Sequence, residues 1–445
     1  MEYLNVYDDN LSLLNKKVKR GEQLPPNEHI LITIIYIENN NHEFLIQKTS
    51  PEKSGLYSST GGHVQYKENS KQTIIREVFE ELGVDISKDN IKYIKNISLG
   101  IPLCDIYYLK KDIDLSKLKL QSSEVSSVSF LKRETIEELI KNNTFHKTHA
   151  KVFNEVISYI DNIDILKKAN IQIKEINSAN NSYNSNVYIV IDTNNKKYIL
   201  KYYNNHSKML NEEKYLKYLS SYIPVSNCLS SGINNNKSYL IQSFVSGNCF
   251  YDEEANNLSN KKLINMGKLL AKLHSIKLLD KNELSWIYYL NNTLEKVSPY
   301  LENIFNNDNQ KIYNYLKKYI NDNIKNNYKI SIIHADARVG NIIFDKDNPS
   351  IIDLESMKTG ESIFDLVKFK RILNKDNFEI FLSGYESVLP LPNYYQERLD
   401  FYSIFDSYSS LYWCITHNKK ETEFYKLNYN IVKSFLKGDS KWKPN

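Results

Sequence analysis

Cysteine is scarce and scattered. Cys104, Cys228, Cys249 and Cys414 are the only four in 445 residues, and no two stand in a Cys-x-x-Cys spacing. That excludes a disulfide framework and a zinc ribbon, and reads as reduced thiols. No apolar run approaches the length of a membrane span. The opening Met-Glu-Tyr-Leu-Asn-Val-Tyr-Asp-Asp-Asn lacks the basic-then-apolar order of a secretory leader. The expected location is therefore cytoplasmic, with no membrane partner. A strong charge of one sign is missing as well. The net charge of +5 is small for this length and shows no basic stripe, which disfavours nucleic acid as a partner. There is no internal repeat and no Pro/Gly/Ser-rich linker. The chain is too long for one ordinary core, so two or three domains are expected, packed closely if no linker separates them.

The sharpest stretch runs from Gly62 to Val84. Gly61-Gly62 permits a tight bend, Asn69 or Ser70 can cap a helix, and Gly83 can end it. At about 100° per residue, Ile74, Ile75, Val78, Phe79 and Leu82 share an apolar arc. Glu77, Glu80 and Glu81 fall together on another arc. Carboxylates at i, i+3 and i+4 repel unless something positive sits among them, and hard oxygen donors at that spacing suit Mg²⁺ or Mn²⁺. A solvated helix face is the plainer reading, but it must also account for the paired glycines, the isolated Glu68, the Arg76-Glu77 pair and the terminal glycine.

Around this stretch, Ile30–Ile37, Phe44–Gln47, Tyr57–Thr60, Ile91–Leu99, Asp105–Leu109 and Val125–Leu131 read as strands. Arg133–Lys141 and about His149–Ile163 read as helices. Residues 1–28 read as polar, with turns at Asp8-Asp9-Asn10 and Pro25-Pro26-Asn27.

The stretch resembles the box of the Nudix hydrolases in full: Gly62, five residues, Glu68, seven residues, then Arg76-Glu77-Val78-Phe79-Glu80-Glu81-Leu82-Gly83-Val84. The resemblance implies an αβα sandwich in which Glu77, Glu80 and Glu81 hold the metal. It also implies that Arg76 orients the carboxylates and that Glu68 closes the loop onto the helix. Glu80 and Glu81 are then the catalytic candidates. Glu124 stands where some members place an extra metal ligand or a base. Tyr7-Asp8-Asp9-Asn10 and Arg20-Gly21-Glu22 look like the branch similar to isopentenyl diphosphate isomerase.

A domain boundary is expected near Lys167–Asn170, giving domains of 1–166 and 167–445. Beyond it, Gln172–Ile176, Val187–Asp192 and Lys197–Tyr203 read as consecutive strands. A helix over Ser207–Leu219, a strand over Ser238–Phe244 and a hinge at Val245-Ser246-Gly247 follow. Lys261–Ile276 is strongly periodic, and helices are expected over 281–327 and most of 361–440. Ile332-Ile333-His334-Ala335-Asp336-Ala337-Arg338-Val339-Gly340-Asn341 precedes Ile351-Ile352-Asp353-Leu354-Glu355. Phosphoryl transfer needs an acceptor for the attacking hydroxyl's proton and oxygen ligands for a nucleotide's Mg²⁺. Asp336 and an Asn341–Asp353 pair meet those needs. Upstream, Lys201 lies in a β-branched and aromatic strand and Glu212-Glu213 in the next helix, the Lys–Glu arrangement that positions nucleotide phosphates in kinase-like folds.

From about 170 to 440 the chain resembles the aminoglycoside phosphotransferase and choline kinase family. The resemblance implies an α+β, multi-domain protein: the Nudix sandwich, then a bilobal protein-kinase-like fold with lobes of about 170–245 and 246–445. It implies Asp336 as catalytic base, Asn341 and Asp353 as Mg²⁺ ligands, Lys201 on the nucleotide phosphates and Glu212 as its anchor. His334 would brace the loop, Glu355 would follow the metal aspartate, and Asp365 would be structural. The segment Asn177–Asn186 has no glycine where kinases often carry a phosphate-covering loop; asparagine can take positive φ in its place.

The expected function is a bifunctional enzyme. One half would hydrolyse a (nucleoside) diphosphate-linked compound with Mg²⁺ or Mn²⁺. The other would transfer a phosphate from ATP or GTP to a hydroxyl of an aminoglycoside, choline, sugar or nucleoside. The alternative is a kinase whose Nudix half senses or binds a nucleotide metabolite without turnover. Tyr394, Tyr395, Tyr402 and Trp413 could meet a cationic acceptor by cation–π attraction, though at helical spacing they read first as core.

Overall fold

The computed structural model describes residues 2–179, 187–278 and 284–438, and leaves the side chains of 284 and 285 undescribed. Residues 180–186 of the glycine-free segment, and 281–283 of the expected helical stretch, lie outside the described residues. The chain divides into two compact units, Met1–Lys168 and Ala169–Asn445. No helix among the described residues is long and apolar enough to cross a membrane.

In the first unit the strands are β1 (Tyr3–Asp8), β2 (Leu13–Lys19), β3 (Glu28–Glu38), β4 (Glu43–Thr49), β5 (Tyr57–Ser58) and β6 (Thr60–His63). Helix α1 (Ser70–Leu82) follows, then β7 (Lys92–Ser98), β8 (Pro102–Lys110), β9 (Val125–Lys132), α2 (Arg133–Lys141) and α3 (Lys147–Lys168). The β-branched run of β3 lies at the centre, parallel to β8 from Ile30↔Pro102 to Glu38↔Lys110 and antiparallel to β6 from Ile32↔His63 to Ile35↔Thr60. Side chains alternate along a strand. Ile35 and Ile37 therefore pack under α1 with Ile74, Val78 and Leu82, while Ile34 and Tyr36 pack under α3 with Val152, Phe153 and Val156. Burial on both faces is why β3 reads as a continuous apolar run, and the result is an αβα sandwich.

Two sequence expectations fail here. Residues 1–28 are not merely polar turns: β1 and β2 form a hairpin that extends the sheet through Tyr7↔His29. Its Leu4, Val6 and Val18 form a small core of their own, too few apolar residues to announce a strand. The Asp8-Asp9-Asn10 turn is the hairpin's bend, with Asp8 Oδ1 accepting from the Asn10 and Ser12 amides. Phe79 does not join the apolar arc, and remains 58% exposed. The buried apolar stripe is the narrower Ile74–Val78–Leu82 row, and Phe79 lies beyond its far edge, on the side away from Glu77 and Glu81.

In the second unit, β10 (Ile173–Ser178), β11 (Val187–Asp192), β12 (Lys197–Tyr203), α4 (His206–Leu219), β13 (Cys228–Asn234) and β14 (Lys237–Ser243) form one lobe. Its antiparallel sheet has the order β10-β11-β12-β14-β13. Strand β13 went unread in the sequence because it is a polar edge strand. After the short β15 (Asn248–Cys249), the other lobe is mainly helical: α5 (Asn260–Ser275), α6 (Leu284–Phe305) and α7 (Asn307–Tyr319). Strands β16 (Ile330–Ile333), β17 (Ile342–Asp345), β18 (Asn348–Ile351) and β19 (Lys358–Glu361) follow, then α8 (Leu366–Ile372), α9 (Lys375–Glu386), α10 (Tyr395–Thr416) and α11 (Glu423–Leu436). β16 pairs with β19, and β17 with β18. Short strand pairs thus hold both ends of the Asp336 loop.

Candidate functional site

In the first unit α1 starts on a reciprocal cap: Asn69 Oδ1 accepts from the Gln72 amide, and the Gln72 side chain accepts from the Asn69 amide. It ends at Gly83, which takes φ 72° and donates to Phe79 O. This fixes the acidic face over a cleft of about 610 Å³ lined by Gly62, Arg76, Glu77, Glu80, Glu81 and Glu124. Gly62 is glycine for a steric reason: a Cβ there would lie 2.1 Å from Glu77 Oε1. Arg76 is the positive charge among the acids. It reaches Glu68 at 3.0 Å, Glu77 at 2.9 Å and Glu80 at 2.8 Å, and Thr73 donates to Glu68 at 2.8 Å. Burial works against the Arg76 charge, but Glu68 and Glu77 hold its pKa above the usual range.

Glu81 is buried, accepts from Gln47 Nε2 at 2.9 Å, and forms no ion pair among the described residues, Lys53 acting on it only at longer range. Burial, with Glu77 and Glu124 adding, pushes its carboxyl up to about 8. Burial likewise raises Glu77 against the pull of Arg76. The cluster is therefore short of positive charge, and hard carboxylate oxygens short of charge fit a divalent cation. The acids are not sealed against Arg76, because the Glu80 side chain stays 49% exposed. Glu124 lines the same cleft but is held by Lys53 at 2.9 Å. Arg20 and Glu2 pair at 2.7 Å on the cleft wall.

In the second unit Lys201, on β12, is buried and donates to Glu212 of α4 at 2.8 Å and to Asp353 at 2.6 Å; Glu355 lies 3.4 Å away. Burial opposes its charge, and Glu212 and Asp353 outweigh that and raise its pKa. Glu213 instead pairs with Lys217. Glu212, Asp353 and Glu355 bring ligand oxygens within 4.8 Å of one another. Glu212 Oε1 is buried without a partner and the Asp353 side chain is 40% exposed. These acids too fit a divalent ion, with Glu355 a more intimate member than its neighbourly position in the sequence implied.

Asp336 and Asn341 come together: Asn341 Nδ2 donates to Asp336 O at 2.9 Å and Oδ2 at 3.1 Å. The Ile352 amide donates to Asn341 O at 3.0 Å, which sets Asn341 beside the residue before Asp353. Burial would raise the Asp336 carboxyl, but an ion pair with Lys368 holds it below the usual range. Ala335 sits at φ 62°, a strained position for a residue with a Cβ. It is held there by Asp365, whose carboxylate accepts from the His334 amide at 2.7 Å and the Ala335 amide at 2.8 Å. His334 Nε2 lies 3.0 Å from Ile352 O, tying the two motif strands.

Several side chains at these sites gave no sequence signal. Gln47 on Glu81, Lys368 on Asp336 and Tyr203, which donates to Glu212 at 2.6 Å, come from distant segments or carry no motif. Asp252 accepts from Arg338 at 3.1 Å and from the Gly340 amide at 3.0 Å, clamping the loop between Asp336 and Asn341. Of the aromatics at the start of α10 and along it, three are core or already engaged. Tyr402 is buried, Trp413 stacks on His417 and Arg398 lies over Tyr394.

A model of the NUDIX domain matches residues 28–156, and a model of the phosphotransferase enzyme family matches residues 176–396. An uncharacterised Nudix hydrolase of Listeria innocua is 34% identical over 151 residues, 33% of this chain and 88% of that protein. An NAD-capped RNA hydrolase of Mannheimia succiniciproducens is 30% identical over 80 residues, 18% of this chain and 29% of that one. Among solved structures, the GDP complex of an aminoglycoside 2'-phosphotransferase has a TM-score of 0.49 at 13% identity, covering 62% of this chain and 97% of that chain.

Proposed function

Since the chain belongs to the Nudix hydrolase family through its N-terminal part and to the phosphotransferase enzyme family through its C-terminal part, we propose two reactions, one in each unit. The first unit hydrolyses a diphosphate-linked compound, of which a nucleoside diphosphate derivative is the expected class. The second moves the γ-phosphate of ATP or GTP to a hydroxyl of a small molecule. The observation that carries this is common to both units. Each gathers carboxylates around one cation, Arg76 or Lys201, and leaves part of the acidic cluster open to solvent.

In the hydrolase, Glu77, Glu80 and Glu81 would hold Mg²⁺ or Mn²⁺, which neutralises phosphate charge and acidifies water. Arg76 keeps Glu77 and Glu80 apart and oriented, and Glu68 fixes Arg76. In the transferase, Asp353 and Asn341 would hold Mg²⁺, with Glu355 close by. Lys201 meets the nucleotide phosphates and is fixed by Glu212. Asp336 receives the acceptor hydroxyl's proton; Lys368 and Asn341 orient its carboxylate.

Glu80→Gln is expected to lower diphosphate hydrolysis by at least about a hundred-fold and leave phosphotransfer unchanged. Asp336→Ala is expected to do the reverse. Release of phosphate or nucleotide from a diphosphate panel with Mg²⁺, alongside transfer from labelled ATP, reads both. A substitution that silences both activities would overturn the assignment of one reaction to each unit, and diphosphate binding without turnover would make the first unit a sensor.

A further inference from the structure

Beside Asp336, among the described residues, several acids are already paired while Lys358 has no ion pair. On α10, Asp400 pairs with Lys370 at 2.5 Å and Asp406 with Arg371 at 2.8 Å. Glu361 accepts from Tyr402 at 2.6 Å, and Asp365 is turned onto the His334 and Ala335 amides. Asp336 itself carries Lys368. Each of these carboxylates already has a partner, although the Asp400 side chain stays 47% exposed.

Lys358 is the opposite case. It lies on β19 directly across from Ile333, three residues before Asp336 on the neighbouring strand. It is half-buried, and its ammonium lies 3.8 Å over the Tyr289 ring, which stacks on Trp286. It forms no ion pair or hydrogen bond among the described residues. Burial holds its pKa down to about 8, so it still carries its proton at neutral pH. Asp406 lies within electrostatic reach of both Tyr289, which meets Lys358, and Lys368, which pairs with Asp336. Asp365 and Lys208 act on it only at longer range and in opposite senses, so this half-buried ammonium is under-compensated, and an oxyanion would complete it. A polycation would meet the reverse: paired acids and an unpaired lysine.

We propose that the phosphoryl acceptor carries an oxyanion, a carboxylate or phosphate, near the hydroxyl that reacts, and that Lys358 binds it. This rests on reading Asp336 as the base of a phosphotransferase. In the transfer, the acceptor oxygen forms a bond to the γ-phosphorus as the bond to the bridging oxygen breaks. The hydroxyl proton passes to Asp336, and the nucleoside diphosphate leaves.

The first test is calorimetric titration of the full chain, saturated with Mg·ADP, with inorganic phosphate. Lys358→Met should weaken a phosphate site by about ten-fold or more, and Lys358→Arg should keep it. Unchanged phosphate affinity in Lys358→Met overturns the proposal. The second test offers Mg·ATP with glycerol, glyceric acid, glycerol 3-phosphate, choline and kanamycin. Transfer to an anionic member, with KM raised and kcat kept in Lys358→Met, supports it, and glyceric acid against glycerol 3-phosphate separates carboxylate from phosphate. Transfer to choline or kanamycin with KM indifferent to Lys358→Met overturns it. If bound Mg·ATP is transferred to nothing, the phosphotransferase reading fails, while the phosphate titration still decides the oxyanion site.

Discussion

His149 shows how a single side chain can set a pH dependence. Its Nδ1 lies 2.9 Å from Ser59 Oγ, and its ring meets His146 edge-on at 5.1 Å. Burial, with His146 adding, lowers its pKa to about 3. The unfolded chain would titrate near the ordinary histidine value of about 6.5. Above that pH both states are neutral and nothing changes. Between about 6.5 and 3 only the unfolded state takes the proton, so stability falls as pH falls, by on the order of 1.4 kcal/mol per pH unit. Thermal unfolding of the full chain at pH 7.5 and 5.5 should show this loss, and His149→Gln should reduce it. An identical pH response in the variant would remove His149 as the source. Gly62 works at the same scale by shape alone: its missing Cβ makes room for Glu77.

Among the elements, α1 was the most legible in sequence. Its stop and its acidic face depend on neighbours within a turn or two, so spacing alone marked them, while the cap was narrowed to Asn69 or Ser70 and the structure puts it at Asn69. Hairpin β1–β2 and edge strand β13 were not legible, because each leans on a central strand, β3 or β14, to be a strand at all. The crossing of α5 and α9 was equally silent. Gly267 and Gly384 carry no motif, yet a Cβ on Gly267 would stand 2.1 Å from Phe381 O and one on Gly384 2.1 Å from Ile264 O. Here glycine is chosen for backbone contact, against its helix propensity. Gly267→Ala is expected to cost about 1–3 kcal/mol by forcing the two helices apart. A drop in the unfolding midpoint checks this, and an unchanged or raised midpoint would mean that the crossing adjusts freely.

At the scale of the whole molecule, each unit has its own core. Ile34, Tyr36, Phe44 and Phe153 belong to one in the first unit, while Leu270, Phe369, Phe381 and Phe405 belong to the core of the second. Phe369 is fully buried and stacks on Phe381 at 4.7 Å. Phe369→Ala should cost about 3–5 kcal/mol and inactivate phosphotransfer at a lower temperature. Diphosphate hydrolysis should keep its own inactivation temperature, and a parallel fall in both would show that the units unfold as one.

The sequence by itself determined what covalent geometry and short spacing determine: that Glu77, Glu80 and Glu81 share one arc of α1, that Asp336 stands five residues before Asn341 and ahead of Asp353, and most strands and helices. Helical and strand periods place near neighbours on one face whatever else the chain does. Only the tertiary structure decided which charge meets which. Gln47 reaches Glu81 across 34 residues, Lys368 reaches Asp336 across 32, and Lys358 is left facing a tyrosine ring. Those pairings depend on how distant elements pack, and no local spacing encodes them.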